Sequence, residues 1–139
     1  MKANEFVGLL FLARDVAHSV HLNTRSFSKH MALNTFYDSI IDHADAFAEA
    51  YQGRHGLIGP ITLHSAKKTS NIIEFLQDSL AEIEAARYDV CDKTDSSIQQ
   101  LIDTTHRGPC AFELEALHRQ TAQRPLGQAL PIHEPRSQR

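Results

Sequence analysis

The sequence predicts an all-α protein, an antiparallel four-helix bundle in one domain. Apolar residues recur at helical spacing, short polar breaks separate these stretches, and Gly and Pro are scarce before the C-terminal part. The 139 residues suffice for a hydrophobic core, and 42% apolar with 22% charged residues is ordinary for a soluble globular protein. A helical bundle is therefore favoured over a β-sandwich.

Two long helices come first. Residues 3–22 carry an amphipathic stripe of Phe6, Leu9, Leu10, Ala13, Val16, Ala17 and Val20. Residues 23–26 break the pattern, and Ser26 or Ser28 is a suitable N-cap for a second helix over residues 27–52. That helix buries Leu33, Phe36, Tyr37, Ile40, Ile41, Ala44, Phe47, Ala48 and Tyr51, and Gly53 ends it.

Two further helices follow a loop over residues 53–64. The third is expected from about Ser65 or Ser70 to Cys91, on a stripe of Ile72, Ile73, Leu76, Leu80, Ile83, Ala86 and Val90. Residues 94–97 are an N-cap cluster for the fourth helix, whose inward side chains are Ile98, Leu101 and Ile102.

The C-terminal part differs in composition from the rest. Gly108-Pro109 interrupts the fourth helix, which resumes at most over residues 111–123, and residues 124–139 read as a disordered or draped tail. Residues 1–105 hold nine Lys/Arg against fourteen Asp/Glu, for a net charge of −5, whereas 106–139 hold five Arg against three Glu, for +2. We therefore divide the chain into a helical bundle, 1–105, and a broken helix with a Pro/Arg-rich tail, 106–139.

Charge and hydropathy restrict the partners. The body is acidic and the tail has scattered Arg rather than a basic block, so nucleic-acid binding is not expected. No apolar run approaches the ~20 residues that span a bilayer, and the first residues lack a signal-peptide layout, so we expect a cytoplasmic protein without membrane contact. Cys91 and Cys110 form no metal-type pair and are read as incidental thiols.

Four side chains form a candidate metal site. His18 and His30 lie twelve residues apart across the predicted helix break, and Asp45 and Glu49 lie at i and i+4 on the second helix. Side chains at that spacing share one face, where a cation would relieve the repulsion of two carboxylates. Nitrogen and carboxylate ligands together suit iron, zinc or manganese.

Helix geometry makes this site a question of assembly. His30 and Asp45 are fifteen residues apart on one helix, which is about 22 Å at 1.5 Å per residue. A ligand bond of about 2 Å cannot join both to one ion within a chain. Either the two pairs are unrelated, or His18 and His30 of one subunit meet Asp45 and Glu49 of another.

The intervals between these four residues resemble the ferroxidase motif of Dps proteins, the mini-ferritins of the ferritin-like superfamily. The run from His18 to Thr24, His30, Phe36-Tyr37-Asp38 and Tyr51-Gln52-Gly53 also looks like uncharacterised phage-encoded ferritin-like proteins. The resemblance implies a ferritin-like bundle in a homo-oligomer with two-fold interfaces, such as the Dps dodecamer. It further implies Fe(II) oxidation by peroxide or oxygen in the host cytoplasm or the virion.

Carried over to this chain, the resemblance makes His18 and His30 iron ligands from one subunit, with Asp45 and a bridging Glu49 from its partner. The chain departs from the Dps pattern in lacking Trp and in its interrupted fourth helix. His21, at i+3 from His18, is either a further ligand or a structural histidine. The alternative function is a structural or interaction bundle, for example a phage virion or regulatory component, that keeps the fold without catalysis.

Overall fold

A computed structural model describes residues 1–65, 71–107 and 119 of the chain. Within these residues the secondary structure consists of four helices and no strand. The helices are α1 (Ala3–Asn23), α2 (Phe27–His55), α3 (Ile72–Val90) and α4 (Ser96–Arg107). The all-α prediction is confirmed at this level.

The helix ends follow from local hydrogen bonds. Glu5 in the first turn of α1 accepts a bond from the backbone N–H of Lys2 at 2.7 Å. The Ser26 hydroxyl caps α2 by accepting from Lys29 N–H at 3.4 Å, as one of the two predicted capping serines. The third helix begins later than predicted, because Asn71 caps it by accepting from the N–H groups of Ile73 and Glu74.

The four helices share one core. Each helix packs against two others, in the ring order α1, α2, α4, α3. The largest fully buried side chains come from all four: Val7, Phe6, Leu10, Leu33, Phe36, Ile40, Phe47, Leu76, Ile83, Ile98 and Ile102. Phe6 and Phe47 lie in ring contact at 4.4 Å between centroids, which joins the first part of α1 to the second half of α2.

Polar contacts identify which helix ends lie together. At one end, which we call the lower end, Arg54 and His55 at the end of α2 contact Asp95, just before α4. The first residue is there too, with its amino group 3.4 Å from Asp89 near the end of α3. The α1–α2 turn forms the opposite, upper end, where His21 contacts His30.

Residues 60–64, between α2 and α3, lie against α1. The Asn4 amide donates to the carbonyl oxygen of Pro60 at 2.9 Å and to the Thr62 hydroxyl at 3.3 Å. At Gly8 the approach is so close that an added Cβ would collide with the Thr62 carbonyl oxygen. A glycine in mid-helix is thus explained by the passage of this segment.

A buried arginine joins α3 to α4. Arg87 is 6% exposed, and its guanidinium lies 2.9 Å from Asp103 and 3.0 Å from Glu84. It also donates to the side-chain oxygen of Gln99 at 2.9 Å. Buried guanidinium groups are tolerated only when paired in this way.

Several predictions concern residues outside the described ones. The Gly108-Pro109 interruption, the short helix over 111–123 and the tail from 124 to 139 are among them, as is the segment 66–70. In the part of the chain that the structure describes, no helix is long and apolar enough to cross a membrane.

The two helical glycines give a matched test of the segment that crosses α1. Gly8→Ala should destabilise the protein by about 1–3 kcal/mol, because the segment must move away from the new methyl group. Gly53 lies inside α2, which continues to His55 instead of ending at Gly53 as predicted, and nothing lies within 4 Å of its added Cβ. Gly53→Ala should therefore stabilise the protein by up to about 1 kcal/mol. Urea denaturation of both variants checks the sign; stabilisation by Gly8→Ala would contradict the close approach.

Removing the buried arginine should cost more than removing an exposed one. Arg87→Ala leaves three polar partners without their donor, and we expect a loss of about 2–4 kcal/mol in the free energy of unfolding. The control is Arg14→Ala, whose exposed ion pair with Asp15 should be worth less than about 0.5 kcal/mol. Equal losses in chemical denaturation would show that the Arg87 network does not join α3 to α4.

Candidate metal centre

Three imidazoles gather at the upper end. His18 and His21 lie in the last part of α1, one turn apart on the same face, and His30 lies in the first turn of α2. The ring centroids of His21 and His30 are 3.7 Å apart in a stacked arrangement, and those of His18 and His21 are 5.9 Å apart. We call these three residues the imidazole cluster.

His21 is the best-oriented member of the imidazole cluster. It is 6% exposed, and its Nδ1 lies 3.0 Å from the backbone carbonyl oxygen of His30. A carbonyl oxygen only accepts, so Nδ1 carries a hydrogen, and in the neutral ring the lone pair is on Nε2. Metal-binding histidines are commonly held by this type of bond from their second nitrogen.

Tyr37 is a member of this site that sequence reasoning did not single out. Its ring centroid lies 4.3 Å from that of His18 and 5.2 Å from that of His21. Its hydroxyl donates to the side-chain oxygen of Asn34 at 3.0 Å, which fixes the ring. The available signal was its position seven residues after His30, on the same face of α2.

The predicted carboxylates lie elsewhere on the same helix. Asp45 and Glu49 are both exposed, on the second half of α2. Because α2 is continuous from Phe27 to His55, Asp45 is about 22 Å along the helix axis from His30. One chain therefore brings the three imidazoles together but does not bring the carboxylates to them.

A second set of ligand-type side chains lies at the lower end. His55, Cys91 and Asp95 each offer one ligand atom, and these atoms all lie within 4.8 Å of one another. Among residues 1–65, 71–107 and 119, this is the group of three whose ligand atoms all lie within 4.8 Å of one another. The ligand atoms of the imidazole cluster are farther apart than that limit. We call it the lower cluster.

Sequence reasoning missed the lower cluster because its members had separate explanations. Cys91 is interpreted above as an incidental thiol, and the sequence does not single out His55, which the structure leaves exposed. Only the four-residue interval between Cys91 and Asp95 was available as a local signal. The approach of His55 depends on how α2 packs beside the α3–α4 turn.

Hydrogen bonds set the charge of Asp95. Burial is the largest effect and acts to raise the pKa, but bonds from Ile98 N–H, His55 and Arg54 together lower it below the usual range. The individual contacts are 2.9 Å from Arg54 to Oδ1, 3.3 Å from Ile98 N to Oδ1, and 3.3 Å from His55 Nε2 to Oδ2. Asp95 is therefore a carboxylate with one oxygen committed to Arg54 and the cap of α4.

The Cys91 thiol has the opposite tendency. Its side chain is buried, and burial together with the neighbouring Asp95 carboxylate raises its pKa. In the metal-free chain it is a neutral thiol beside a carboxylate. A cation between the two would reverse that preference, because coordination deprotonates a thiol.

Comparison with known proteins finds relatives without an assigned function. A family model described as "Family of unknown function (DUF5856)" matches residues 21–107, more than half of the chain. A protein of Enterobacteria phage T4, described as "Uncharacterized 14.6 kDa protein in mobD-ri intergenic region", is 38% identical over 55 residues. That alignment covers 40% of this chain and 43% of the phage protein. No solved structure matches the chain.

These findings bear on part of the predicted resemblance. The likeness to a phage-encoded protein of unknown function is confirmed. The likeness to Dps and ferritin-like proteins still rests on the intervals of the sequence. The matched family region includes His21, His30, Asp45, Glu49 and the lower cluster, and it begins after His18.

Proposed function

The chain belongs to the DUF5856 family, whose function is unknown, and we propose that it is a Dps-like protein that binds and oxidises Fe(II). The proposed site lies between two copies of the chain. The observation that carries the proposal is the imidazole cluster, in which His21 already bonds a carbonyl through Nδ1 at 3.0 Å. That leaves nitrogen lone pairs available at the upper end.

The connectivity of the helices supports a ferritin-like bundle. Both α2 and α3 end at the lower end, so these two helices run in the same direction. Residues 60–64 between them contact Asn4 and then Gly8, in the order that leads away from the lower end along α1. One long connection of this kind is typical of ferritin-like bundles, and the antiparallel ferritin-like arrangement is therefore part of the proposal.

A second copy of the chain would complete the ligand set. A two-fold interface is isologous, so each copy would contribute its imidazoles to one site and its carboxylates to the other. His18 and His30 of one copy with Asp45 and Glu49 of its partner give two nitrogen and two carboxylate ligands, a set that suits iron. Glu49 is the proposed bridging group, and His21 is a candidate additional ligand from the same copy as His18.

The upper end also has an apolar surface that favours association. Leu22, Phe27 and Met31 flank the α1–α2 turn and are 69%, 80% and 47% exposed. Large exposed apolar side chains close together are typical of contact surfaces between proteins. We propose a homo-oligomer built on this two-fold contact, up to a shell such as the Dps dodecamer.

The chemistry supplied by bound iron is one-electron transfer. Two ferrous ions give up one electron each, and these reduce one hydrogen peroxide with two protons to two waters. The bond from His21 Nδ1 to the His30 carbonyl orients the His21 ring, and Asp45 and Glu49 of the second copy would supply carboxylate oxygens to the cations. Tyr37 lies in ring contact with His18 and His21.

A second candidate function is a structural or interaction bundle without catalysis. The stacking of His21 on His30 at 3.7 Å and the His21 hydrogen bond satisfy these rings without a metal. For one ion to bind both rings in plane, His30 must turn out of the stack. Metal-free protein that keeps its oligomeric state would support this alternative.

Subunit mixing tests the intersubunit site directly. Anaerobic titration of the full chain with Fe(II), followed by peroxide and ferric absorbance, should show saturable binding and oxidation. Both should be lost in His18→Ala/His30→Ala and in Asp45→Ala/Glu49→Ala. Co-expression of the two double variants should restore about a quarter of the sites, because half of the random dimers then hold one intact site of two.

The matched control for the carboxylates is Asp78→Ala/Glu82→Ala, which removes an exposed i, i+4 pair from α3. It should bind and oxidise Fe(II) like the unchanged protein. Absence of saturable binding in the unchanged protein would overturn the proposal. Binding without restoration on mixing would place the site within one chain.

A further inference from the structure

The lower cluster combines three different ligand types from three separate parts of the chain. His55 is the last residue of α2, Cys91 follows the end of α3, and Asp95 directly precedes α4. It shares no residue with the imidazole cluster, and its properties do not depend on the function proposed above. Its three ligand atoms all lie within 4.8 Å of one another.

One of these separations already fits a bound ion. Two nitrogen or oxygen ligands about 2.0–2.1 Å from a tetrahedral zinc are about 3.3 Å apart. His55 Nε2 and Asp95 Oδ2 are 3.3 Å apart. The Cys91 sulfur lies within 4.8 Å of both atoms and must move closer by about 1.2 Å at most, since a sulfur and a nitrogen on tetrahedral zinc are about 3.6 Å apart.

The surroundings of the lower cluster hold two of its ligands in place. Arg54 and the N–H of Ile98 occupy Oδ1 of Asp95, which leaves Oδ2 toward His55. The Tyr51 ring lies 4.6 Å from the His55 ring. The side chain of Asp95 is 10% exposed and that of His55 is 42% exposed, so an ion would enter from the His55 side.

We propose that His55, Cys91 and Asp95 bind a Zn²⁺ ion that joins the end of α2 to the α3–α4 turn. Three protein ligands leave a fourth position for water on the exposed side, as in zinc sites that are not fully closed. A thiolate ligand selects zinc over the harder cations that carboxylates alone would bind. One thiolate and one carboxylate also neutralise the divalent charge.

Binding exchanges protons for the ion without any redox step. The thiol of Cys91 releases its proton to solvent and its sulfur bonds the zinc. The neutral His55 ring, which donates its Nε2 hydrogen to Asp95 before binding, releases that proton to solvent and takes one up on Nδ1, so that the Nε2 lone pair bonds the zinc. Oδ2 of Asp95 then bonds the zinc in place of the imidazole hydrogen, while Oδ1 keeps Arg54.

Cobalt(II) titration of the metal-free full chain tests this site, because Co²⁺ in a tetrahedral thiolate site absorbs in both the near ultraviolet and the visible. We expect one equivalent with a sulfur-to-cobalt band that added Zn²⁺ abolishes. Cys91→Ser should lose the band, whereas Cys110→Ser, the matched control, should retain it. His55→Gln and Asp95→Asn should weaken cobalt binding at least about tenfold, since losing even an outer contact has that effect.

Two features keep the outcome decisive. Asp95→Asn retains an N-cap residue and His55→Gln changes an exposed side chain, so both variants should remain folded by circular dichroism. The His18→Ala/His30→Ala variant should keep the cobalt band, which separates this site from the proposed iron site. The proposal is overturned if the unchanged chain has no thiolate band, if Cys110→Ser removes the band, or if folded His55→Gln binds cobalt normally.

Discussion

The continuous helix α2 is the constraint on which the candidate sites depend. It runs from Phe27 to His55 without a break and therefore fixes a distance of about 43 Å between its two ends. Its first turn carries His30 to the imidazole cluster, and its last residue carries His55 to the lower cluster. The same rigidity holds Asp45 and Glu49 far from His30, so a site that includes all of them requires a second copy.

The packing of α2 favours a continuous helix of this length. Phe36, Ile40 and Phe47 are fully buried on one face, and α1 and α4 both pack against it. Burial of such side chains is worth about 1.5–3 kcal/mol each, so a bend that exposed them would be costly. Asp45 and Glu49 lie on the exposed face of α2, where they can contact either water or another subunit.

Local sequence patterns predicted the helices because an amphipathic stripe is set by near neighbours. The expected ranges for α1 and α2 differ from the observed ends by at most a few residues. The start of α3 was placed too early because serines at 65 and 70 are also good caps, whereas Asn71 forms the cap observed. The proximity of His18, His21 and His30 also followed from sequence, since the predicted break between the two helices covers only residues 23–26 and the observed turn only residues 24–26.

The lower cluster was not predictable in the same way. His55 and Asp95 are forty residues apart in the chain, and their approach depends on the packing of α2 beside α4. No periodic pattern encodes such a contact, because each residue is locally consistent with a helix end or a cap. Tyr37 is an intermediate case. The sequence predicts that it shares a face of α2 with His30, but it does not predict the contact of Tyr37 with His18 and His21 of α1.

The two clusters differ in the chemistry that each would select. The imidazole cluster with carboxylates from a second copy is a nitrogen and oxygen set, which suits iron, whereas the lower cluster adds a thiolate, which favours zinc. The Cys91 sulfur is buried and lies beside a carboxylate that Arg54 already holds, so a soft cation is preferred there over a hard one. Because α2 separates the clusters by most of its length, neither ion would disturb the ligands of the other.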